Sequence, residues 1–168
     1  MKDTALKTKR KFVRVDGRLR EIVSVYDKTG KLIHKLMNPV MLEFYPRDII
    51  QVIVGATLLA VPIAFTEETW KLGETLPNLN IFGLFFLSIL FISVFVYYNY
   101  YRNKFKTHWS EFLKRILSTY ILSFLVVGII LMLIQKAPLQ SNLILAFKRI
   151  VIVTFPASMS AAIADIVK

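Results

Sequence analysis

The sequence predicts an all-α membrane protein with four transmembrane helices, preceded by a small cytoplasmic antiparallel β segment. Three observations carry that expectation. Of 168 residues, 55% are apolar and only 20% charged, with a mean hydropathy of +0.55, against about half and a quarter in a soluble domain. Twelve of the 22 Lys and Arg precede residue 49, so the rest of the chain holds long uncharged runs. The runs exclude a soluble globule with one core, a disordered tail and a coiled coil, and the lack of Cys excludes a disulfide-stapled secreted module.

The chain divides into residues 1–45, a cytoplasmic basic tail and β-meander, and residues 46–168, a four-helix transmembrane domain. Residues 1–10 read as a frayed basic tail. Residues 12–15, an Asp16-Gly17 turn, residues 18–26, a turn at residues 27–30, residues 31–37 and residues 40–45 alternate as strands and turns, and Asp-Gly between apolar-bearing strands is a strong hairpin signal. So small a sheet needs a surface to pack on, either the membrane's inner face or neighbouring copies. His34 and His108 are far apart and read as surface or interfacial residues. The first apolar run starts only at Ile49, so no cleaved leader is expected.

Pro46 suits the first turn of a helix, with Asp48 facing its positive dipole end. Residues 49–65 are apolar except for Gln51 and reach about 26 Å, just enough to cross. Residues 79–101 and 116–134 carry no charge, and residues 150–167 carry one acid, Asp165. The apolar run of the last span begins at Leu143 and is interrupted by Lys148 and Arg149, which snorkel or end an amphipathic approach helix. The expected connector, residues 102–115, holds five Lys and Arg, whereas the other two connectors hold Lys71, Lys136, Lys148 and Arg149. The positive-inside rule then places both termini in the cytoplasm of a cell that carries the protein in its plasma membrane. Tyr97, Tyr98, Tyr100 and Tyr101 fall at the inner interface and Trp70 at the outer one. Topology and anionic headgroups explain the net charge of +11, so membrane lipids are expected partners and nucleic acid is not.

The stretch Thr66-Glu67-Glu68-Thr69-Trp70-Lys71 carries the functional expectation. Read as the outward end of the first span, it places two acids where the helix dipole is already negative. Lys71, four residues after Glu67, offers a helical ion pair. Glu68 has no local partner, and in a homo-oligomer with the first span lining the axis it would form a carboxylate ring, to which Thr66 and Thr69 add neutral oxygens. Carboxylates suit hard ions such as calcium, so Glu68 and Glu67 are the metal-binding candidates; no cofactor beyond such a cation is expected. Gln51 would fit the same pore wall.

The spacing Thr66-x-Glu68-x-Trp70 resembles the selectivity-filter signature of bacterial voltage-gated sodium and calcium channels. That resemblance implies that Glu68 selects the ion and Trp70 buttresses the wall, although the chain lacks the family's Lys or Arg-rich voltage sensor and its re-entrant pore helix. A broader resemblance, carried by Gly55, Pro62, Thr66, Glu68 and Trp70, is to a family of small multi-spanning membrane proteins of unknown function. It covers residues 46–168 and implies no activity.

Asp165 is an ionisable group within a span, a functional candidate that Lys168 could instead pair at the inner interface. Pro62 and Pro156 kink helices or free carbonyls for ions. Ala157 with Ala161 and Ser158 with Ala162 allow close helix approach, while Ser158 and Ser160 could line a wet path. Ser88, Ser93, Ser118, Thr119 and Ser123 are read as bonding back to their own helices. Phe82, Phe85, Phe86, Phe91 and Phe95 form a lipid-facing or packing surface. The leading function is an oligomeric cation channel with an outer glutamate ring. The alternatives are a proton- or sodium-coupled secondary transporter, with Asp165 carrying protons, and a non-transporting adaptor. No metal cluster or nucleophile pair suggests an enzyme.

Overall fold

The computed structural model describes residues 7–15, 18–27, 29–39, 44–102, 105 and 108–167, and the chain forms two compact units, Met1–Glu43 and Phe44–Lys168. The first unit is a three-stranded antiparallel sheet of β1 (Lys7–Val15), β2 (Arg18–Tyr26) and β3 (Leu32–Pro39), in that spatial order. Pairing of Lys7 with Tyr26 extends β1 into the basic stretch expected to fray. Between β2 and β3 the chain turns through Gly30 at φ 79°, a left-handed conformation that glycine adopts freely. The Gly30 amide donates to the Asp27 carbonyl at 2.9 Å there. The Asp16-Gly17 turn and residues 40–43 of the expected fourth strand lie outside the described residues; Phe44 and Tyr45 belong to no strand.

The second unit contains α1 (Pro46–Ala64), α2 (Glu67–Thr75), α3 (Asn78–Val96) continued by a π-helical turn (Tyr97–Tyr101), α4 (Trp109–Leu133) and α5 (Leu143–Ile166). Four of these helices, α2 excepted, are long and apolar enough to cross a membrane. Proline sits at the start of α1 as expected, and the Asp48 carboxylate accepts the Tyr45 amide at 3.0 Å. Pro62 and Pro156 are both accommodated inside their helices.

Two boundaries differ from the hydropathy runs. The third spanning helix starts at Trp109, not Ile116, so Arg115 lies within a helix and not in a connector. The last is continuous from Leu143, with Lys148 and Arg149 inside it. In both places hydropathy falls at a charge, but nothing stops the backbone hydrogen-bond ladder, because Arg and Lys are good helix formers.

The core follows helical spacing. Val52, Ala56, Ala60 and Ala64 form a buried stripe on α1, facing Ala157, Ala161 and Val153 on α5, with Val127 and Leu131 from α4. Small side chains let α1 and α5 approach closely, as the small-residue pattern of α5 predicts. Outward faces are apolar, including Ile50, Val54, Leu58 and Val61 on α1 and Phe82, Phe86, Leu90 and Phe91 on α3. Between α3, α4 and α5 lies an apolar cleft of about 730 Å³, walled by Phe82, Phe85, Leu125 and Phe147.

Candidate functional site

At one end of the helical unit, the distal end, lie α2 and the α4–α5 connector. Thr66 is extended at φ −85° and ψ 135°, which breaks the chain between α1 and α2. Glu67 and Glu68 therefore occupy the first turn of α2 and do not extend the last turn of α1. This corrects the sequence expectation on a physical ground: the dipole there is positive and stabilises both acids without a cation. Glu67 pairs with Lys71 at 2.9 Å, as the four-residue spacing predicts, and Glu68 is exposed. The Thr66 and Thr69 hydroxyls bond each other at 2.7 Å. No group of three or more His, Cys, Asp or Glu able to hold a metal occurs among the described residues.

Trp70 and Arg149 fasten this end. The Trp70 indole donates to the Ala64 carbonyl at 2.8 Å, and Lys136 Nζ lies 3.9 Å from its ring centroid. Arg149 donates to the Trp70 carbonyl at 3.3 Å, the Lys136 carbonyl at 2.9 Å and Glu74 Oε1 at 2.7 Å. The Lys136 carbonyl is presented by the end of α4, where Gln135 is left-handed at φ 59° and the Lys136 amide returns to Leu131 at 2.8 Å. Lys148 caps the Leu76 carbonyl at 2.8 Å, so neither cation simply snorkels. Replacing Trp70 with Phe removes one hydrogen bond and is expected to lower the unfolding free energy in detergent by about 1 kcal/mol. Trp70→Ala also loses the packed ring and should cost roughly 2 to 3 kcal/mol in the same equilibrium unfolding measurement, below the range for a fully buried Trp.

The opposite, proximal end holds the more unusual chemistry. Arg115 has a relative exposure of 0%, Asp48 1% and Asp165 1%. Arg115 Nη2 donates to Asp48 Oδ2 at 2.8 Å, and its Nε lies 3.5 Å from Asp165 Oδ2. The guanidinium also stacks over Tyr100, 4.1 Å from the ring centroid, with Phe44 at 5.6 Å. Tyr100 OH donates to the backbone carbonyl of Asp165 at 2.9 Å, tying the π-helical turn to the end of α5. One guanidinium thus stands between carboxylates from the first and last helices.

The two carboxylates differ. Asp48 lies at a helix N-terminus, and its Oδ2 accepts from both Arg115 Nη2 and the Tyr45 amide. Asp165 lies in the last turn of α5, at the negative dipole end, and approaches the same guanidinium less closely. The structure therefore sets Asp165 in the bundle interior against Arg115; Lys168, its expected partner, lies outside the described residues.

Beyond the cluster the helices hold further buried polar side chains. Arg115, Thr119 and Ser123 recur every four residues on α4 and are all buried, as are Ser158 and Thr154 on α5 and Ser88 on α3. Ser88, Ser123 and Thr154 donate to the carbonyls four residues back at 2.7 to 2.8 Å, leaving oxygen lone pairs free to accept. Ser93 does the same at 2.6 Å. Gln51 donates to the Val167 carbonyl at 2.9 Å at the proximal end, so the structure does not bring it together with Glu68. Thr57, in the distal half of α1, donates its hydroxyl to the Ile53 carbonyl at 2.8 Å.

Asp48, Arg115 and Tyr100 did not stand out as site residues in the sequence. A signal for two of them exists: Asp48 is one turn before the Val52, Ala56, Ala60 stripe, and Arg115 is one turn before Thr119 and Ser123. Extending each buried stripe back by four residues points both side chains into the bundle.

A family model described as "Putative integral membrane protein (DUF2391)" matches residues 24–167, which takes in the end of β2, all of β3 and all five helices. Among curated proteins and solved structures, none matches the chain.

Proposed function

The chain belongs to the DUF2391 family of integral membrane proteins, and on that premise we propose that it is a proton-coupled secondary transporter with Asp165 as its proton-binding group. The observation that carries this reading is the fully buried Arg115 guanidinium shared by Asp48 and Asp165. Ionisable groups inside a spanning bundle are costly and mark ion and proton pathways. Two ionised carboxylates against one cation leave a buried net charge of about −1, which one proton cancels. Asp48, fixed by two donors at a helix N-terminus, stays the counter-ion. Asp165, at the opposite dipole end, takes and releases the proton. Among the described residues, the charged and titratable groups around it are Arg115 from α4, Asp48 from α1, and Tyr100 and Tyr101 from the π-helical turn. Buried hydroxyls one and two turns further along α4, at Thr119 and Ser123, support a route for the proton into the bundle.

The oligomeric cation channel is the competing reading, and the exposure of Glu68 at the distal end favours it. The apolar outer face of α1 speaks against α1 as a hydrophilic pore wall. One experiment separates the two. Proteoliposomes loaded with a pH-sensitive dye are offered a panel of inorganic cations and small organic solutes. The transporter reading expects saturable solute movement that drives protons, lost in Asp165→Asn and retained in Glu68→Gln. Cation passage that needs no proton gradient, persists in Asp165→Asn and changes selectivity in Glu68→Gln would establish the channel instead.

A further inference from the structure

The register of the sheet sorts its side chains onto two faces of very different charge. Cross-strand partners share a face, so Lys9 with Ser24 and Lys35, Lys11 with Ile22 and Met37, and Val13 with Arg20 lie together. Two contacts confirm the sorting: Arg20 Nη1 reaches Met37 Sδ at 3.3 Å, and Lys9 Nζ lies 5.9 Å from the Tyr26 ring centroid. Among the described residues this face carries Lys9, Lys11, Arg20 and Lys35 and no acid. The other face carries Arg10 and Arg14 with Glu21, and Arg10 lies 3.8 Å from Glu21.

We propose that the Lys9, Lys11, Arg20 and Lys35 face of the sheet docks on the anionic phospholipid headgroups of the adjoining leaflet. Charge complementarity is the first reason, since four like charges on one half-apolar face are each drawn to an anionic lipid surface. Reach is the second: Pro46, the start of the first spanning helix, follows Pro39 by seven residues, a tether of at most about 25 Å. Chemistry is the third. Val13, Ile22 and Met37 lie between the cations, and a headgroup layer accepts apolar stems with charged tips, whereas a nucleic-acid backbone does not. Lys9, Lys11 and Lys35 are exposed and available for such contact.

The test uses the full chain in nanodiscs of phosphatidylcholine with and without phosphatidylglycerol, reading amine labelling at Lys35 against Lys31 in the turn. Anionic lipid should slow labelling at Lys35 and spare Lys31, and molar salt should release it. Lys9→Gln with Lys11→Gln removes two of the four contacts and should lower the bound-to-free ratio at Lys35 about thirty-fold. Arg10→Gln with Arg14→Gln, on the other face, should leave it unchanged. Three results would overturn the proposal: labelling indifferent to lipid charge, equal loss from both double variants, or stronger protection of Lys35 by a single-stranded oligonucleotide in neutral discs.

Discussion

Arg115→Met is expected to lower the unfolding free energy of the detergent-solubilised protein by about 3 to 5 kcal/mol, the cost of stripping the partner from a buried charge. The substituted side chain fills a similar volume, so the loss is electrostatic and not a cavity. Asp48 and Asp165 would then face each other at the proximal end with no cation between them, and Tyr100 and Phe44 would lose the guanidinium they stack on. Rescue distinguishes this origin from simple misfolding. Combining Arg115→Met with Asp48→Asn and Asp165→Asn removes every formal charge of the cluster and should restore most of the loss, because a neutral replacement of a buried ion group is often tolerated. Arg115→Lys should fall between, since one ammonium cannot present a planar fork to carboxylates on two different helices. A triple variant as unstable as Arg115→Met would show that the guanidinium acts through packing alone.

The same cluster shows what the sequence does and does not disclose. The four spans are legible because about 20 apolar residues in a row have few other uses, and the Glu67–Lys71 pair is legible because four-residue spacing is local. The Asp27–Gly30 turn is legible for the same reason. The contact of Asp48 with Arg115 joins residues 67 apart, and no local periodicity encodes that distance. A span ended at its first charge leaves Arg115 in a connector, although helix propensity runs through it. At the distal end the sequence and the structure differ in the direction of the helix end. A break at Thr66 turns two acids from a destabilised helix end into a favoured helix start. Hydropathy cannot register such a break, because Thr is as compatible with a helix interior on that scale as with a cap.

Gly55→Ala is expected to destabilise the protein, against the helix propensity that favours Ala over Gly by about 1 kcal/mol in an exposed helix. A Cβ at residue 55 would stand 2.5 Å from Ala164 Cβ and 2.9 Å from both Ala161 Cα and the Ser160 carbonyl oxygen. Two of those atoms are backbone, so no rotamer relieves the clash and α1 must move away from α5. Overpacking of this kind costs about 1 to 3 kcal/mol, and Gly55→Leu should exceed the Ala value. Gly83→Ala is the matched control: nothing lies within 4 Å of its added Cβ, so unfolding in detergent should be unchanged or slightly harder. The displacement also reaches the charge cluster. Asp48 precedes Gly55 by seven residues, about 10 Å along the same helix, while Asp165 adjoins Ala164, the residue the new methyl strikes. Separating α1 from α5 therefore pulls the two carboxylates off their shared guanidinium. If Asp165 carries the transported proton, Gly55→Ala should weaken coupling as well as stability, whereas Trp70→Phe at the far end should lower stability and leave coupling intact.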